Sequence, residues 1–259
     1  MKIGTKEDPV RCSALPMLIT CSGFHALRFV YPDSSGSAAE MGTAVGRGAE
    51  VFHHGESADK AVEVALKEIE GRLTGAELTQ IEETIRAYAE DPRNGPLGSM
   101  QVLPESQEQN LNFEYKGIWF SGHMDQIRRH EDGKLYVWDL KNGRAYGGVQ
   151  MVNAYAAQLA MYSIGATQFY GEPVRYGGIV RTRGYIGKTN SKLYVGDRPV
   201  FFHANWPDGA AEYLADRIVV AVKRLQNDEI DLCPGGHCNF CPGGGIANCT
   251  KILSEEFGR

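Results

Sequence analysis

The chain has 259 residues, 42% of them hydrophobic and 23% charged, and a formal net charge of -5; that length suits one sizeable domain, or a domain with an insertion. Composition is that of an ordinary soluble globular protein apart from its many glycines, no apolar run approaches a membrane span, and the first residues, MKIGTKEDPVRCSALP, lack the apolar core of a signal peptide, so the expectation is a cytoplasmic protein with no membrane partner. The negative balance excludes a global basic field, although local Arg and Lys or a bound cation can reverse the sign where a phosphate docks.

Cys12 to Phe29 reads as a short helical turn with Ser13 as N-cap, interrupted at Cys21-Ser22-Gly23. On the residues alone, Cys21 is a buried cysteine of a small apolar helix. Asp33 to Ala39 is small and polar and predicts a loop. In the run that follows, Glu40 to Glu50 (EMGTAVGRGAE), Glu50 lies one helical turn beyond Gly46 and on the same face, although a helical Glu is usually solvated. Ser57 to Leu73 and Glu77 to Glu90 have helical apolar spacing and alternating charge. They predict two amphipathic helices joined through Thr74-Gly75, together a helical insertion over 56–98. Pro92 to Gly98 is a breaker-rich loop, and Met100 to Pro104 and Leu111 to Tyr115 are short strands with Glu105 between them.

The chemistry concentrates in Trp119 to Tyr162. A strand ends in Gly122-His123-Met124-Asp125, a polar turn over 129–133 reverses the chain, and a second strand, Lys134 to Leu140, carries Asp139 and then Lys141. Strand residues two apart share a face, so Asp139 and Lys141 point the same way and Asp125 can approach from the neighbouring strand. Two converging carboxylates suit a hard divalent cation such as Mg2+. A lysine beside it could orient a water and stabilise developing negative charge. A D-x-K triplet alone arises often by chance; the weight rests on G-x-x-D, D-x-K and Q-x-x-x-Y (Gln158, Tyr162) following in order on strand, strand and helix.

Arg144 to Gln150 (RAYGGVQ) is either a flexible link or a place where backbone meets a phosphate. Arg175 to Tyr185 predicts a strand whose Arg181 and Arg183 share a face, as phosphate contacts or as an exposed edge pair. Arg198 to Asn205 predicts another strand. Asp208 to Asn227 predicts a helix with Asp208 as candidate N-cap and an apolar face of Leu214, Ile218, Ala221, Val222 and Leu225. In the last segment Cys233, Cys238, Cys241 and Cys249 stand among Gly and Pro. Cysteine this dense cannot build a core helix or strand, and a C-x-x-C in a cytoplasmic chain points to metal rather than to disulfides. Either these four hold a local zinc, or Cys21 joins Cys238, Cys241 and Cys249 around a [4Fe-4S] cluster.

Asp139-Leu140-Lys141-Asn142-Gly143 followed by Gln158-Leu159-Ala160-Met161-Tyr162 resembles the RecB-type branch of the PD-(D/E)XK nuclease superfamily, which includes RecB and AddB nuclease domains and CRISPR-associated RecB-like exonucleases; the small phage and prophage members look most similar. The resemblance covers most of the chain and is weakest over Thr74 to Met100. It implies a single α/β domain over 1–259, with a mixed central sheet flanked by helices and a C-terminal cysteine-rich metal-binding segment, 233–249, closing on Cys21. It implies hydrolysis of DNA phosphodiesters, on single strands or ends. Mg2+ or Mn2+ would be held by Asp125, Asp139 and the Leu140 carbonyl, Lys141 would position and help deprotonate the water, and Gln158 and Tyr162 would orient the site or touch DNA. The first motif of the family, G-T-A-x-H, opens a helix and supplies a metal-holding His; here Gly42-Thr43-Ala44-Val45 is followed by Gly46. Glu50, His53 or His54 would then replace that ligand, or metal binding is weakened. The family pattern of one early and three late cysteines favours the [4Fe-4S] cluster over zinc. Two further readings follow: a nuclease-fold DNA-binding protein with little catalysis, and a recombination accessory beside a phage single-strand annealing protein.

Overall fold

The structure is a computed structural model that describes residues 2–27, 36–95, 98–143, 153–184, 186–189, 192–195, 198–203, 206–233, 238, 249 and 254–255. Among them the strands are β1 (Val10–Arg11), β2 (Met100–Val102), β3 (Gln109–Tyr115), β4 (Ile118–Met124), β5 (Gln126–His130), β6 (Leu135–Lys141), β7 (Val174–Arg181), β8 (Ile186–Thr189), β9 (Lys192–Val195) and β10 (Val200–His203). The helices are α1 (Leu15–Thr20), α2 (Ser22–Leu27), α3 (Ser37–His53), α4 (Ala58–Glu68), α5 (Gly75–Glu90), α6 (Ala156–Tyr170) and α7 (Ala210–Gln226).

The fold is mixed α/β, as the sequence predicts, but the strands divide between two mixed sheets and a small ribbon. Order β10-β7-β6-β5-β2 makes a five-stranded sheet, β1-β4-β3 a three-stranded one, and β8-β9 the ribbon. The sequence reads Trp119 through Asp125 as one arm of the central hairpin. The hairpin instead pairs Gln126–His130 with Leu135–Lys141, while β4 pairs with β3 in the other sheet. Asp125 is the residue between them, where the chain leaves one sheet and enters the other.

Alternation decides which face each strand buries. In β3, Leu111 and Phe113 are buried and Asn110, Asn112 and Glu114 are exposed. Along β5 and β6, Ile127, Leu135 and Val137 enter the main core with β7's Ile179 and the buried residues of α6 and α7. Helix α6 is buried on nearly every side, from Ala156 to Ala166, because it lies between the sheets and α7. The other face of the large sheet carries Trp138 and Val180 against Ala49 and Tyr88. Helices α3, α4 and α5 have an apolar cluster of their own, with Val45, Val62, Ile81 and Ile85.

Beneath Trp138 lies a fully buried arginine. Arg128 is 0% exposed, and among the described residues its hydrogen bonds go to neutral acceptors, chiefly Gln126 Oε1 at 2.5 Å, Asn94 Oδ1 at 2.8 Å and the Tyr88 hydroxyl at 3.1 Å. Its guanidinium also stands 4.9 Å from the Phe201 ring centroid and 5.7 Å from that of Trp138. Hydrogen bonds and ring faces here take the place of a counter-ion.

Local signals mark some boundaries and miss others. Thr74 and Glu77 form a complete capping box at the start of α5, and Ser57 caps α4. Ser13 caps nothing: it lies inside a 3-10 turn over Cys12–Ala14. Asp208 is not the cap of α7, whose N-cap is Gly209 in the left-handed region; its carboxylate ion-pairs with Arg175. The predicted loop at 33–39 ends early, because α3 begins at Ser37. The link over 144–150, Cys241 and most of the cysteine-rich segment lie outside the described residues.

In β7 the backbone itself needs two glycines. The β6–β7 pairing shifts register between Val137 and Trp138. There a Cβ on Gly177 would run into the Val137 carbonyl, and one on Gly178 into the Phe202 carbonyl. Neither carbonyl can move without breaking the sheet. Gly177→Ala or Gly178→Ala is therefore expected to lower the melting temperature by roughly 5 °C or more, read by thermal unfolding; an unchanged midpoint in both variants contradicts this packing.

Candidate active site

The seam at Asp125 brings the sequence motifs together. The Leu140 amide of β6 donates to Asp125 Oδ2 at 2.5 Å. In a strand the C=O of a residue leaves on the same side as its N–H, so the Leu140 carbonyl faces the same acid. On the neighbouring position Asp139 is 1% exposed. The Gln158 side-chain amide on α6 donates to Asp139 Oδ1 at 3.0 Å and reaches the Tyr162 hydroxyl at 3.3 Å. Asp139 Oδ2 is held by the Lys141 ammonium at 2.7 Å. Gln158 thus occupies one oxygen of Asp139 and leaves the other turned to Lys141 and the cleft.

Gly122 of G-x-x-D has a steric explanation. A Cβ there would lie 2.8 Å from Tyr162 Cε1 and 3.2 Å from the Cβ of buried Cys12. The absent side chain lets Tyr162 lie against β4 close behind Asp125.

The electrostatics are those of carboxylates crowded out of water. Burial raises the Asp125 pKa well above its ordinary value, and the Asp139 charge raises it further, against the opposing pull of Lys141. Burial pushes Lys141 down, but Asp139 and Asp125 outweigh it and hold the ammonium above the usual lysine value. Lys141 also lies over the ring of Tyr155, 5.0 Å from its centroid, and Arg181 stacks on the same ring at 5.7 Å. Tyr155 immediately precedes α6 and went unremarked in the sequence; no motif marks it, because only the fold sets it between two cations.

Glu108 is the other residue that sequence reasoning missed, having noticed Glu105 instead. It precedes β3 with φ +49, a left-handed conformation uncommon outside glycine, and its amide donates to the Asp125 carbonyl at 3.0 Å. Burial, then the Glu50 and Asp139 charges, raise its pKa to about 7. Its carboxylate comes so near α3 that a Cβ on Gly46 would sit 2.9 Å from Glu108 Oε1. The position where the family motif has His is thus met by a carboxylate from another element.

Asp125, Asp139, Leu140, Lys141, Gln158 and Tyr162 line one cleft of about 1180 Å³, with Glu50 and Gly46 on its helical wall and Glu108 facing them from the turn before β3. Glu50 is tied to Arg47 at 2.5 Å. The motif around Gly46 lies in the middle of α3 rather than at its opening. His53 does not reach in: its ring bonds the Tyr88 hydroxyl at 2.8 Å beside Arg128, and burial lowers its pKa to about 3. His54 bonds the Glu50 carbonyl and is exposed. Arg181 ends β7 opposite Lys141, whereas Arg183 falls in the following turn, so the two do not share a strand face. Among the described residues no three acidic, His or Cys side chains close on one point; Asp125 and Asp139 converge, and the glutamates stand along the wall.

Far from the cleft, the chain entering the cysteine-rich segment is bound to the start of α2. Ser22 and the Asp231 backbone exchange hydrogen bonds of 3.1 and 2.7 Å, and Cys21 Sγ lies 3.9 Å from the Asp231 carbonyl.

The sequence profile of the PD-(D/E)XK nuclease superfamily matches residues 12–245. Among solved structures, a protein from Eubacterium rectale provisionally named an exonuclease aligns with a TM-score of 0.55 at 15% identity, covering 93% of this chain and 89% of its own. At that identity the likeness is one of fold. A second structure, SSO0001, aligns over 89% of this chain and 92% of its own at 14% identity, with a TM-score of 0.31 that carries no argument. No curated protein matches the chain.

The raised Glu108 pKa makes a stability prediction with a definite sign. Between its ordinary value and about 7 the folded state holds more protons than the unfolded one, so this group's contribution falls as pH rises through that window. In chelator, Glu108→Gln should be more stable than the parent at pH 8, on the order of 1–3 kcal/mol. The gain should shrink toward pH 4.5. Denaturant unfolding at both pH values checks it, and a gain independent of pH contradicts the assignment.

Proposed function

The chain belongs to the PD-(D/E)XK nuclease superfamily, and from that premise we propose that it is a Mg2+- or Mn2+-dependent deoxyribonuclease of the RecB type, acting on single strands or duplex ends. The observation that carries the reading is the seam itself: Asp125, fixed by the Leu140 amide, beside an Asp139 whose second oxygen faces Lys141 in the same cleft. Nucleases of this superfamily typically use divalent metals, and buried, crowded carboxylates fit one, since a cation relieves the repulsion that raises the Asp125 pKa. Asp125, Asp139 and the Leu140 carbonyl would hold it, with Glu108 in the place of the missing His and Glu50 behind. A cation there supplies charge to the phosphoryl and leaving oxygens and lowers the pKa of the attacking water.

The remaining work falls to the chain. Asp139 and Asp125 favour the charged form of Lys141, which would orient the water and stabilise negative charge, and help deprotonate the water once a cation offsets those acids. The Tyr155 ring also holds that ammonium. Gln158 fixes the rotamer of Asp139, and Tyr162 backs the pair. The approach of Glu108 to Gly46 favours an enzyme over a nuclease-fold scaffold, because the lost ligand has a replacement. Work beside a phage single-strand annealing protein belongs to the same reading and is open to a pull-down.

The RecB-type reading also includes a [4Fe-4S] cluster on Cys21, Cys238, Cys241 and Cys249. What supports it is the stitching of Cys21 and Ser22 to Asp231, which sets the early cysteine beside the start of the late segment. A cluster closing so long a loop should contribute to folding.

Two tests follow. Asp139→Ala or Lys141→Ala should lower cleavage of labelled DNA by about a hundredfold or more with an unchanged circular dichroism spectrum; full activity in either variant sinks the site. Protein purified without oxygen should be brown. Cys21→Ser should bleach it and lower its melting temperature, while Cys233→Ser should do neither. A colourless protein holding one zinc, indifferent to Cys21→Ser and broken by Cys233→Ser, replaces the cluster by a local zinc site.

A further inference from the structure

The two walls of the cleft differ in charge. The helical wall carries Glu50 and Glu68 with Arg47, and the Glu108 carboxylate reaches toward it from the turn before β3. The opposite wall is the outer face of the three-stranded sheet. Register sets Arg11, Ser121 and Asn112 in one row across β1, β4 and β3, and His123 opposite Asn110 in the next. Period-two alternation points all five away from the core, which takes Leu111, Phe113, Phe120 and Met124 instead. Arg11, Asn110, Asn112 and His123 are exposed, and all five line the cleft with the carboxylates. The row of His123 and Asn110 begins two residues before Asp125 on the same chain.

The five side chains of this wall that line the cleft include no carboxylate, and Glu114 stands on the same face beyond them. Among the described residues these five also make no hydrogen bond or ion pair within the chain, although each carries donors. Polar side chains on a rigid sheet, unused by the fold and continuous with a reaction centre, are placed to hydrogen-bond something else. A polyanion entering the cleft is repelled by the helical wall and not by this one. Amide, hydroxyl, imidazole and guanidinium groups spaced about 5 Å within a row and about 7 Å between rows match the phosphates, sugars and base edges of one extended strand. Further along the same face Trp119 stands beside Glu114, with Lys6 over its ring at 5.5 Å, so the face goes on past the cleft with a ring, a cation and one carboxylate.

Resting on the nuclease reading, we propose that the outer face of β1, β4 and β3 is the docking track for a single DNA strand, with Arg11, Asn112 and His123 as its main contacts. The track seats the nucleotides next to the scissile bond, and the acidic helical wall keeps the strand on it.

The test uses the full chain and a fluorescently labelled single-stranded oligonucleotide, with a blunt duplex of the same sequence for comparison. Arg11→Glu and Asn112→Asp place a carboxylate on the track at exposed positions. Each should weaken single-strand binding, read by fluorescence anisotropy, at least tenfold. In cleavage assays each should raise KM by a similar factor while kcat stays within about twofold. Parent-like Kd and KM in both variants overturn the proposal, as do a parent that binds no single strand and variants in which duplex binding alone is weakened. Hydrolysis of bis(p-nitrophenyl) phosphate by the parent reports the nuclease reading separately. If that hydrolysis is absent and the variants still lose strand binding, the track stands and the nuclease reading falls. If hydrolysis is present and the variants bind as the parent does, the reverse holds.

Discussion

The hydrogen bond from the Leu140 amide to Asp125 is the constraint on which the site depends. It ties two sheets at the point where one strand stops belonging to the first and starts belonging to the second. Without a change of sheet at Asp125, β4 and β5 would run on as one strand, and its alternation would leave Asp125 no particular relation to β6. The change turns the carboxylate sideways onto the β6 backbone, one position from Asp139. The Glu108 amide, bonded to the Asp125 carbonyl, pins the same residue from the other side. A single backbone junction therefore orients Asp125 and brings Glu108 beside it.

Around this junction the polar side chains act as positioning devices. Gln158 spans Asp139 and Tyr162 with one amide nitrogen. Tyr155 spans Lys141 and Arg181 with one ring. Each fixes two functional groups with one side chain, and each belongs to α6 or its first flanking residue, a segment whose apolar surroundings leave little freedom to drift. The rigidity of the site thus derives from the main core rather than from the cleft.

Much of this was legible in the sequence. The shared face of Asp139 and Lys141, the approach of Asp125 and the helical spacing of Gln158 and Tyr162 follow from local periodicity, and the structure places them together. What was not legible depends on register and on contacts distant in sequence. The split of the Trp119–Asp125 arm into a separate sheet is invisible to alternation, because β4 alternates equally well in either pairing. Glu108 escaped because its relevance comes from a positive φ and from the missing side chain of Gly46, neither of which has a local signature. Ser13 and Asp208 show the converse failure: each is a good cap by residue type, yet a 3-10 turn and an ion pair to Arg175 claim their positions.

The cleft is built between separate hydrophobic clusters. Asp125 and Asp139 ride on the main core, while Glu50, Glu68 and Gly46 ride on helices packed around Val45, Val62 and Ile81. A small cluster of Ala49, Tyr88, Trp138 and Val180, with Arg128 beneath it, lies between the two. Helix α3 serves both sides: Val45 and Ala49 pack into these clusters while Gly46 and Glu50 line the cleft. One wall of the cleft is therefore seated on aromatic packing at the opposite face of the large sheet. Resizing Tyr88 or Trp138 would be felt in the cleft through α3 while leaving every acid in place.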